Sequence, residues 1–378
     1  MWTVVAALSL VIWAVLMLAR GGFWRFAATA VPPPPAAWPA VVAVVPARDE
    51  AATIGRCVAA ILDQDYPGDL RLVVVDDGSS DGTATAAGRA ARLSVIAARP
   101  LPSGWTGKVW AMDQGVRAAG DACEFIWFTD ADIVHAPGTL RRLVARAEGE
   151  RRDLVSEMVR LRCVGFWERL LVPAFVFFFA KLYPFARVAD ARRPTAAAAG
   201  GSMLARRRSL ERAGGLAAIG GAWIDDCALA AAMKRAGGRL WLGLGETSGS
   251  LRAYPDLASF WAMVARTAYV ELRRSPPRLL GAVAGMILVY LAPVAAVVLW
   301  PLHGDGAAAV LGALAVAAMV LAYAPILRFH RLPAAWAATL PLAAALYTAM
   351  TVDSARRHHF AGGPQWKGRA PEGAAPAP

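Results

Sequence analysis

Apolar positions follow two regimes along this chain. At both ends they run unbroken by charge; through the middle they recur at the periods of strands and helices. Residues 1–19 carry no charged side chain, and a helix needs roughly 20 apolar residues to cross a bilayer core, so the pattern predicts an N-terminal anchor over residues 1–20. A cleaved signal peptide is the alternative, but no basic segment precedes the run and no small-x-small site follows it. Three more uncharged runs, 279–304, 306–327 and 332–352, predict a hydrophobic region over 276–352 with two or three further spans.

Pro32-Pro33-Pro34-Pro35 reads as an extended spacer. Residues 21–38 are therefore a Pro-rich linker, 39–275 a folded head and 353–378 a basic tail rich in Pro and Ala. In the head, Val41-Val42-Ala43-Val44-Val45, ended by Pro46, suits a strand buried on both faces. Ile54, Val58, Ile61 and Leu62 then recur at helical spacing, and Tyr66-Pro67-Gly68 marks a turn. Leu70 to Val75 forms a second strand run, closed by Asp76-Asp77-Gly78. Strand, helix and strand within about 35 residues make a βαβ unit and imply a parallel sheet. A third apolar run, Phe125-Ile126-Trp127-Phe128, ends in Thr129-Asp130-Ala131-Asp132.

Composition narrows the class. The 378 residues are 57% apolar and 18% charged, with a mean hydropathy of +0.43, which excludes a purely soluble or disordered chain. The net charge of +12 suits an anionic partner: nucleic acid, a phosphate-bearing substrate or a lipid headgroup surface. Nucleic acid is set aside, because no recognised binding motif accompanies the membrane runs. Cys57, Cys123, Cys163 and Cys227 form no C-x-x-C pair and read as buried thiols, and His135, His303, His330, His358 and His359 make no ligand cluster. G-x-G-x-x-G is missing after the first strand, and neither G-x-S-x-G nor H-E-x-x-H occurs. Dehydrogenase and common hydrolase chemistries therefore fail.

The acids remain. Ligands of open α/β sheets bind beyond the carboxyl ends of the strands, so acids at strand ends point to a cleft. Asp130 and Asp132, one residue apart, can reach one hard divalent cation that keeps waters and phosphate oxygens as its other ligands; the alternative is an ordinary turn or cap. Together, Val44-Val45-Pro46-Ala47-Arg48-Asp49-Glu50, Gln64-Asp65-Tyr66-Pro67, Val74-Val75-Asp76-Asp77-Gly78-Ser79-Ser80-Asp81-Gly82-Thr83, Gly107-Lys108 and Asp130-Ala131-Asp132 resemble the family 2 glycosyltransferases over residues 40–270. With the anchor, the Gly104-Trp105-Thr106-Gly107-Lys108 segment and the apolar C-terminal region, the chain most resembles the hopanoid-biosynthesis-associated glycosyltransferases.

That resemblance implies a GT-A nucleotide-diphospho-sugar transferase fold, an α/β architecture with a Rossmann-like, mostly parallel sheet. It also implies a UDP-type donor and inverting transfer. Carried onto matching positions, Pro46, Ala47 and Glu50 border the nucleoside pocket, Asp76 and Asp77 hold uracil and ribose, and Lys108 approaches the donor phosphates or base. Asp130 and Asp132 bind Mg²⁺ or Mn²⁺ between the diphosphate oxygens. Gly220-Gly221-Ala222-Trp223-Ile224-Asp225-Asp226 resembles the segment that opens a helix and supplies the catalytic base. Asp226 is the base, with Asp225 raising its pKa by like-charge repulsion; alternatively both are first-turn helix acids. Gly200-Gly201-Ser202-Met203 with Arg206-Arg207 resembles the lining of the donor and acceptor subsites, which includes Gly201 among the donor contacts. Arg266 stands where processive relatives carry Gln-x-x-Arg-Trp, but Met263, Ala265 and Thr267 surround it; it is a candidate diphosphate contact, and polymer synthesis is disfavoured.

The acceptor is expected to be a lipid, hopanoid-related, with a polyprenyl phosphate as the alternative. A scaffold or sugar-nucleotide sensor on a decayed head is the non-enzymatic alternative, and it predicts lost acids. The Phe-rich run 170–180 suits either a membrane interface or a buried core helix. Arg192-Arg193, Arg206-Arg207-Arg208 and Arg273-Arg274 suit anionic headgroups or a solvated face. Arg20 and Arg25 beyond the anchor place the head in the cytoplasm of a multi-pass inner-membrane protein by the positive-inside rule. Three C-terminal spans would then put Arg356, Arg357, Lys367 and Arg369 outside, so one run is re-entrant or interfacial. Trp366-Lys367-Gly368-Arg369 resembles tails of related membrane transferases.

Overall fold

A computed structural model of the chain describes residues 1–26 and 30–360; the tail segment Trp366–Arg369 lies outside them. The described residues divide into two compact units, one of residues 1–26, 163–186 and 254–360 and the other of residues 30–162 and 187–253.

The second unit is built on a sheet of strands β1 (Val41–Ala47), β2 (Leu70–Asp76), β3 (Leu93–Ala97), β4 (Phe125–Phe128), β5 (Ile133–His135), β6 (Leu154–Arg160), β7 (Met203–Arg206) and β8 (Leu240–Ser250). Their order is β3-β2-β1-β4-β7-β6-β8-β5. Every residue of β1 is buried, as a strand covered on both faces requires. Pro46 lies inside β1 rather than ending it. The ladder to β4 stops at Val44, so the missing N–H falls beyond that pairing. The helix Ile54–Leu62 buries Ile54, Cys57, Val58 and Ile61, the stripe its spacing predicts. Cys57 and Cys123 are buried thiols; Cys163 and Cys227 are partly covered, and none of the four is in a disulfide.

The sheet is mixed, which corrects the mostly parallel sheet expected. β3, β2, β1 and β4 run parallel, but β7 is antiparallel to both β4 and β6, and β5 is antiparallel to β8. The βαβ signal came from the parallel half alone. The antiparallel joins matter for chemistry, because they set strand starts beside strand ends. Phe128 pairs with Met203, which brings the 200–202 loop against the 129–132 loop. Ile133 pairs with Ser250, and the Leu251 N–H donates to the Asp132 carbonyl at 2.8 Å, so the chain leaving β8 arrives at the same place.

The first unit is helical. Trp2–Ala19, Pro276–Val298, Gly306–Phe329 and Ala334–Phe360 are long and apolar enough to cross a bilayer, which makes this a multi-pass membrane protein. The first helix is tied in at both ends: the Thr3 hydroxyl donates to Asp305 Oδ2 at 2.6 Å and the Trp13 indole to the Val289 carbonyl at 2.9 Å. The Phe-rich run lies in the helix Phe166–Leu182, with Leu170, Leu171, Val172, Ala174, Val176 and Phe177 buried. The Tyr347 hydroxyl donates to the Leu171 carbonyl at 2.9 Å, and the Phe177 and Tyr323 rings meet at 5.2 Å. Within this unit it packs as a core helix.

In the sheet unit, the helix Gly107–Ala118 approaches β1 through a glycine. A Cβ on Gly115 would lie 2.3 Å from Val44 Cγ1 and 3.2 Å from Val75 Cγ2. Gly115→Ala is expected to destabilise the unit by about 1–3 kcal/mol through overpacking, read as a lowered thermal unfolding midpoint in detergent. An unchanged midpoint would mean that the helix can shift freely.

Candidate active site

Five segments bring charged side chains together beside the ends of β1 and β4. The segment before the helix Gly107–Ala118 is laced to the one before the helix Asp225–Arg235. Thr106 N–H donates to the Gly220 carbonyl at 2.8 Å, and the Thr106 hydroxyl to the Ala222 carbonyl at 3.2 Å. Lys108 and Asp225 therefore start two helices side by side. Lys108 Nζ lies 2.9 Å from Asp130 Oδ1 and 3.1 Å from Asp225 Oδ2. Burial opposes the ammonium, but Asp130, Asp225 and Asp226 together outweigh it and hold its pKa above the usual lysine range.

Asp226, beside that pair, has no cation of its own in its first contacts. Its Oδ2 accepts from Gly200 N–H at 2.9 Å and its Oδ1 from Cys227 N–H at 2.7 Å. Burial, then repulsion by Asp225, push this carboxyl up to about 7 against the pull of Lys108. Gly200 is the point of convergence. A Cβ there would sit 3.3 Å from Lys108 Nζ, 3.5 Å from Asp226 Oδ2 and 3.7 Å from Asp130 Oδ2. The structure thus brings Lys108, Asp130, Asp225 and Asp226 together.

Asp132 is held differently. Its Oδ2 accepts from Ser250 Oγ at 2.9 Å and from Arg252 Nε at 3.1 Å. Burial, followed by the charge on Asp130, raises its carboxyl in spite of these donors. Arg252 also pairs with Glu50, so one guanidinium joins the loop after β1 to the loop after β4. Around this cleft, Glu50, Asp130, Asp132, Asp225 and Asp226 face Lys108 and Arg252. Acids outnumber these bases, which suits a divalent cation. Among the described residues, no group of three or more His, Cys, Asp or Glu is arranged to hold a metal ion; a hard cation with two carboxylates and ligand oxygens or waters does not need one.

The other expected residues of the sheet unit stand at or beside strand ends. Pro46 and Ala47 end β1, buried. Asp76 Oδ1 accepts from Ser79 N–H at 3.0 Å, a turn closure. Asp77 is buried, its N–H on the Ala47 carbonyl at 2.8 Å and its Oδ2 3.8 Å from Arg48 Nη1. The Gly201 carbonyl accepts from the Thr129 hydroxyl at 2.8 Å. Arg266 belongs to the helix Leu257–Glu271 of the other unit.

Sequence reasoning missed Arg252, Ser250 and a buried brace beneath the acids. His135 Nε2 meets Thr129 Oγ1 at 2.8 Å, and its Nδ1 meets Ser248 Oγ at 2.8 Å. Burial pushes the imidazole pKa down to about 3, so the ring is neutral. The brace ties the 129–132 loop to β8, and through Thr129 to Gly201. The available signal was a histidine three residues past a D-x-D pair, which by itself says nothing of its partners.

Residues 42–214 match the family described as Glycosyl transferase family 2. An N-acetylglucosaminyltransferase of Mesorhizobium japonicum is 33% identical over 127 residues, 32% of this chain and 28% of the relative. One of Rhizobium meliloti is 52% identical over 42 residues, 11% of this chain and 10% of the relative. The chain thus spans well under a third of the length of either curated relative. Among solved structures, a mannosyltransferase from Pyrobaculum calidifontis, in complex with GDP-Man and Mn²⁺, superposes with a TM-score of 0.58 at 22% identity, covering 92% of this chain and 99% of that one. The sheet unit thus carries the match to that family over residues 42–214, and the chain shares its fold with the mannosyltransferase.

His135→Leu removes the partner that Thr129 and Ser248 share. Leaving buried hydroxyls short of a partner costs about 1–3 kcal/mol, to be read as a lowered thermal midpoint. An unaltered midpoint would show that the brace adds nothing to stability.

Proposed function

We propose that this protein is a membrane-bound, inverting, metal-dependent glycosyltransferase that moves a sugar from a UDP-type nucleotide-diphosphate donor to a lipid acceptor. A hopanoid-related lipid is the favoured acceptor, on the sequence resemblance. The observation that carries the reading is the meeting of Asp130, Asp225 and Asp226 around Lys108 and Gly200. A decayed scaffold would have no reason to keep so crowded a set of acids, since each like-charge contact opposes stability. Arg20 and Arg25 support a cytoplasmic head.

In this reading Asp226 is the base. Its carboxylate takes the proton of the acceptor hydroxyl as that oxygen attacks the anomeric carbon. The bond from that carbon to the donor's diphosphate oxygen breaks, and its electron pair leaves with the diphosphate. The amides of Gly200 and Cys227 fix the orientation of the carboxylate. A pKa near 7 keeps enough of it ionised while leaving it basic enough to accept a proton. Asp225 holds Lys108 toward Asp130, where the ammonium is available to donor phosphates. Pro46, Ala47, Glu50, Asp76 and Asp77 border the nucleoside, and Gly201 completes the donor contacts. Asp130 and Asp132 would hold Mg²⁺ or Mn²⁺, which when bound stabilises charge developing on the departing diphosphate.

The test is transfer by the purified protein in lipid, with a panel of radiolabelled sugar nucleotides and candidate lipids, with and without EDTA. Transfer is expected to stop in EDTA and in Asp132→Ala; wild-type rates in both would remove the metal from the reading. For Asp226→Asn, transfer should fall roughly 10²–10⁴-fold with UDP binding retained, and unchanged turnover would rule out its role as base. In the wild type, kcat/KM should rise with pH through about 7 as Asp226 loses its proton. A profile flat from pH 5.5 to 8.5 would count against a carboxylate base.

A further inference from the structure

The two carboxylates of the D-x-D segment are bound to cations of different character. Asp130 meets Lys108, a lysine that is itself enclosed by Asp225 and Asp226. Asp132 meets Arg252, which reaches in from beyond the end of β8 and whose side chain stays 38% exposed against 9% for the Asp132 side chain. Lys108 is fixed by its surroundings. Arg252 has a path out to water.

The lone pairs of Asp132 make that difference matter. Each carboxylate oxygen offers about two acceptor sites, and Oδ2 of Asp132 already accepts from Ser250 Oγ and Arg252 Nε. A divalent cation cannot take that oxygen while both donors remain, and one approaching the other carboxylate oxygen still meets the charge of the adjacent guanidinium. The hydroxyl is neutral and sits within β8. The guanidinium is charged, repels an incoming cation and has somewhere to go. Its other nitrogen pairs with Glu50, so the contact also closes one wall of the cleft against the other.

We propose that Arg252 is a resident counter-ion for Asp132 that competes with the divalent cation, so that the metal position becomes fully available only when the donor's diphosphate draws the guanidinium away from the carboxylate. This rests on the functional reading above, and it adds to that reading an order of events. Without nucleotide, Arg252 neutralises Asp132 and metal binds weakly. With nucleotide, the guanidinium exchanges a carboxylate for phosphate oxygens, for which its planar fork is well suited. Metal and donor binding become linked through one side chain, each favouring the other by the same factor.

The experiment uses the full chain in nanodiscs and follows Mn²⁺ by electron paramagnetic resonance of the free ion, with and without UDP. Arg252→Gln is expected to bind Mn²⁺ roughly three- to ten-fold more tightly than wild type without UDP, the range of a partly exposed charged hydrogen bond. The gain in Mn²⁺ affinity on adding UDP, large in the wild type, should shrink in the variant. Arg252→Lys keeps the charge but not the fork that spans Glu50 and Asp132, and should fall between the two; it also serves if the glutamine variant folds poorly. Equal or weaker Mn²⁺ binding by Arg252→Gln without UDP, with the wild type binding Mn²⁺ normally, overturns the role of Arg252 alone. A wild type that binds no Mn²⁺ even with UDP overturns the metal reading and this proposal together.

Discussion

The site depends on keeping several carboxylates close together where little water can reach them, and Lys108 is what makes that possible. Between Asp130 and Asp225, its ammonium offsets repulsion that would otherwise drive the loops apart or force protons onto the acids. The backbone is shaped to the same end. Any side chain at Gly200 would stand among Lys108, Asp130 and Asp226, so glycine here keeps open the space where the charges meet. The pair of hydrogen bonds from Thr106 to the Gly220–Ala222 segment sets the two helix starts that present Lys108 and Asp225 to each other.

The sheet's change of direction is the second condition. Had β7 run parallel to β4, its far end, Arg206, would lie beside Phe128 and the Gly200 loop would be at the opposite edge. The antiparallel join puts Met203 there instead, and the amide of Gly200 reaches Asp226. The same logic at β5 and β8 delivers Ser250 and Arg252 to Asp132. The parallel half supplies the strand ends that the proposed donor site uses; the antiparallel half supplies the side chains that brace and neutralise the acids.

This division explains what the sequence disclosed. The β1, β2 and β4 runs, the helix over Ile54–Leu62 and the acids at strand ends were legible because each signal is local: a run, a period or a short motif within a few residues. Asp225 and Asp226 were legible as the opening of a helix for the same reason. Arg252 and Ser250 were not, since 120 and 118 residues separate them from Asp132, and only strand pairing brings them near. The role of His135 was hidden in the same way: its partners Thr129 and Ser248 lie on different strands' ends, and a buried neutral imidazole leaves no trace in composition. The Phe-rich run 170–180 was ambiguous because burial in a helical core and burial in a membrane interface select the same residues.

Asp225 and Asp226 are chemically identical neighbours, yet the fold gives them different surroundings, and the difference follows from one turn of helix geometry. Successive residues at a helix start point about a quarter turn apart, so Asp225 faces Lys108 while Asp226 faces the Gly200 amide. An ammonium contact offsets the burial of a carboxylate. Two amide donors orient a carboxylate but compensate its burial less, and its neighbour's charge adds to the cost. Asp225 is thereby placed to hold the lysine, while Asp226 is left able to gain and lose a proton near neutrality, the property that the proposed base requires. Exchanging their partners would cancel it, because an Asp226 paired directly to Lys108 would be too weak a base for the mechanism we propose.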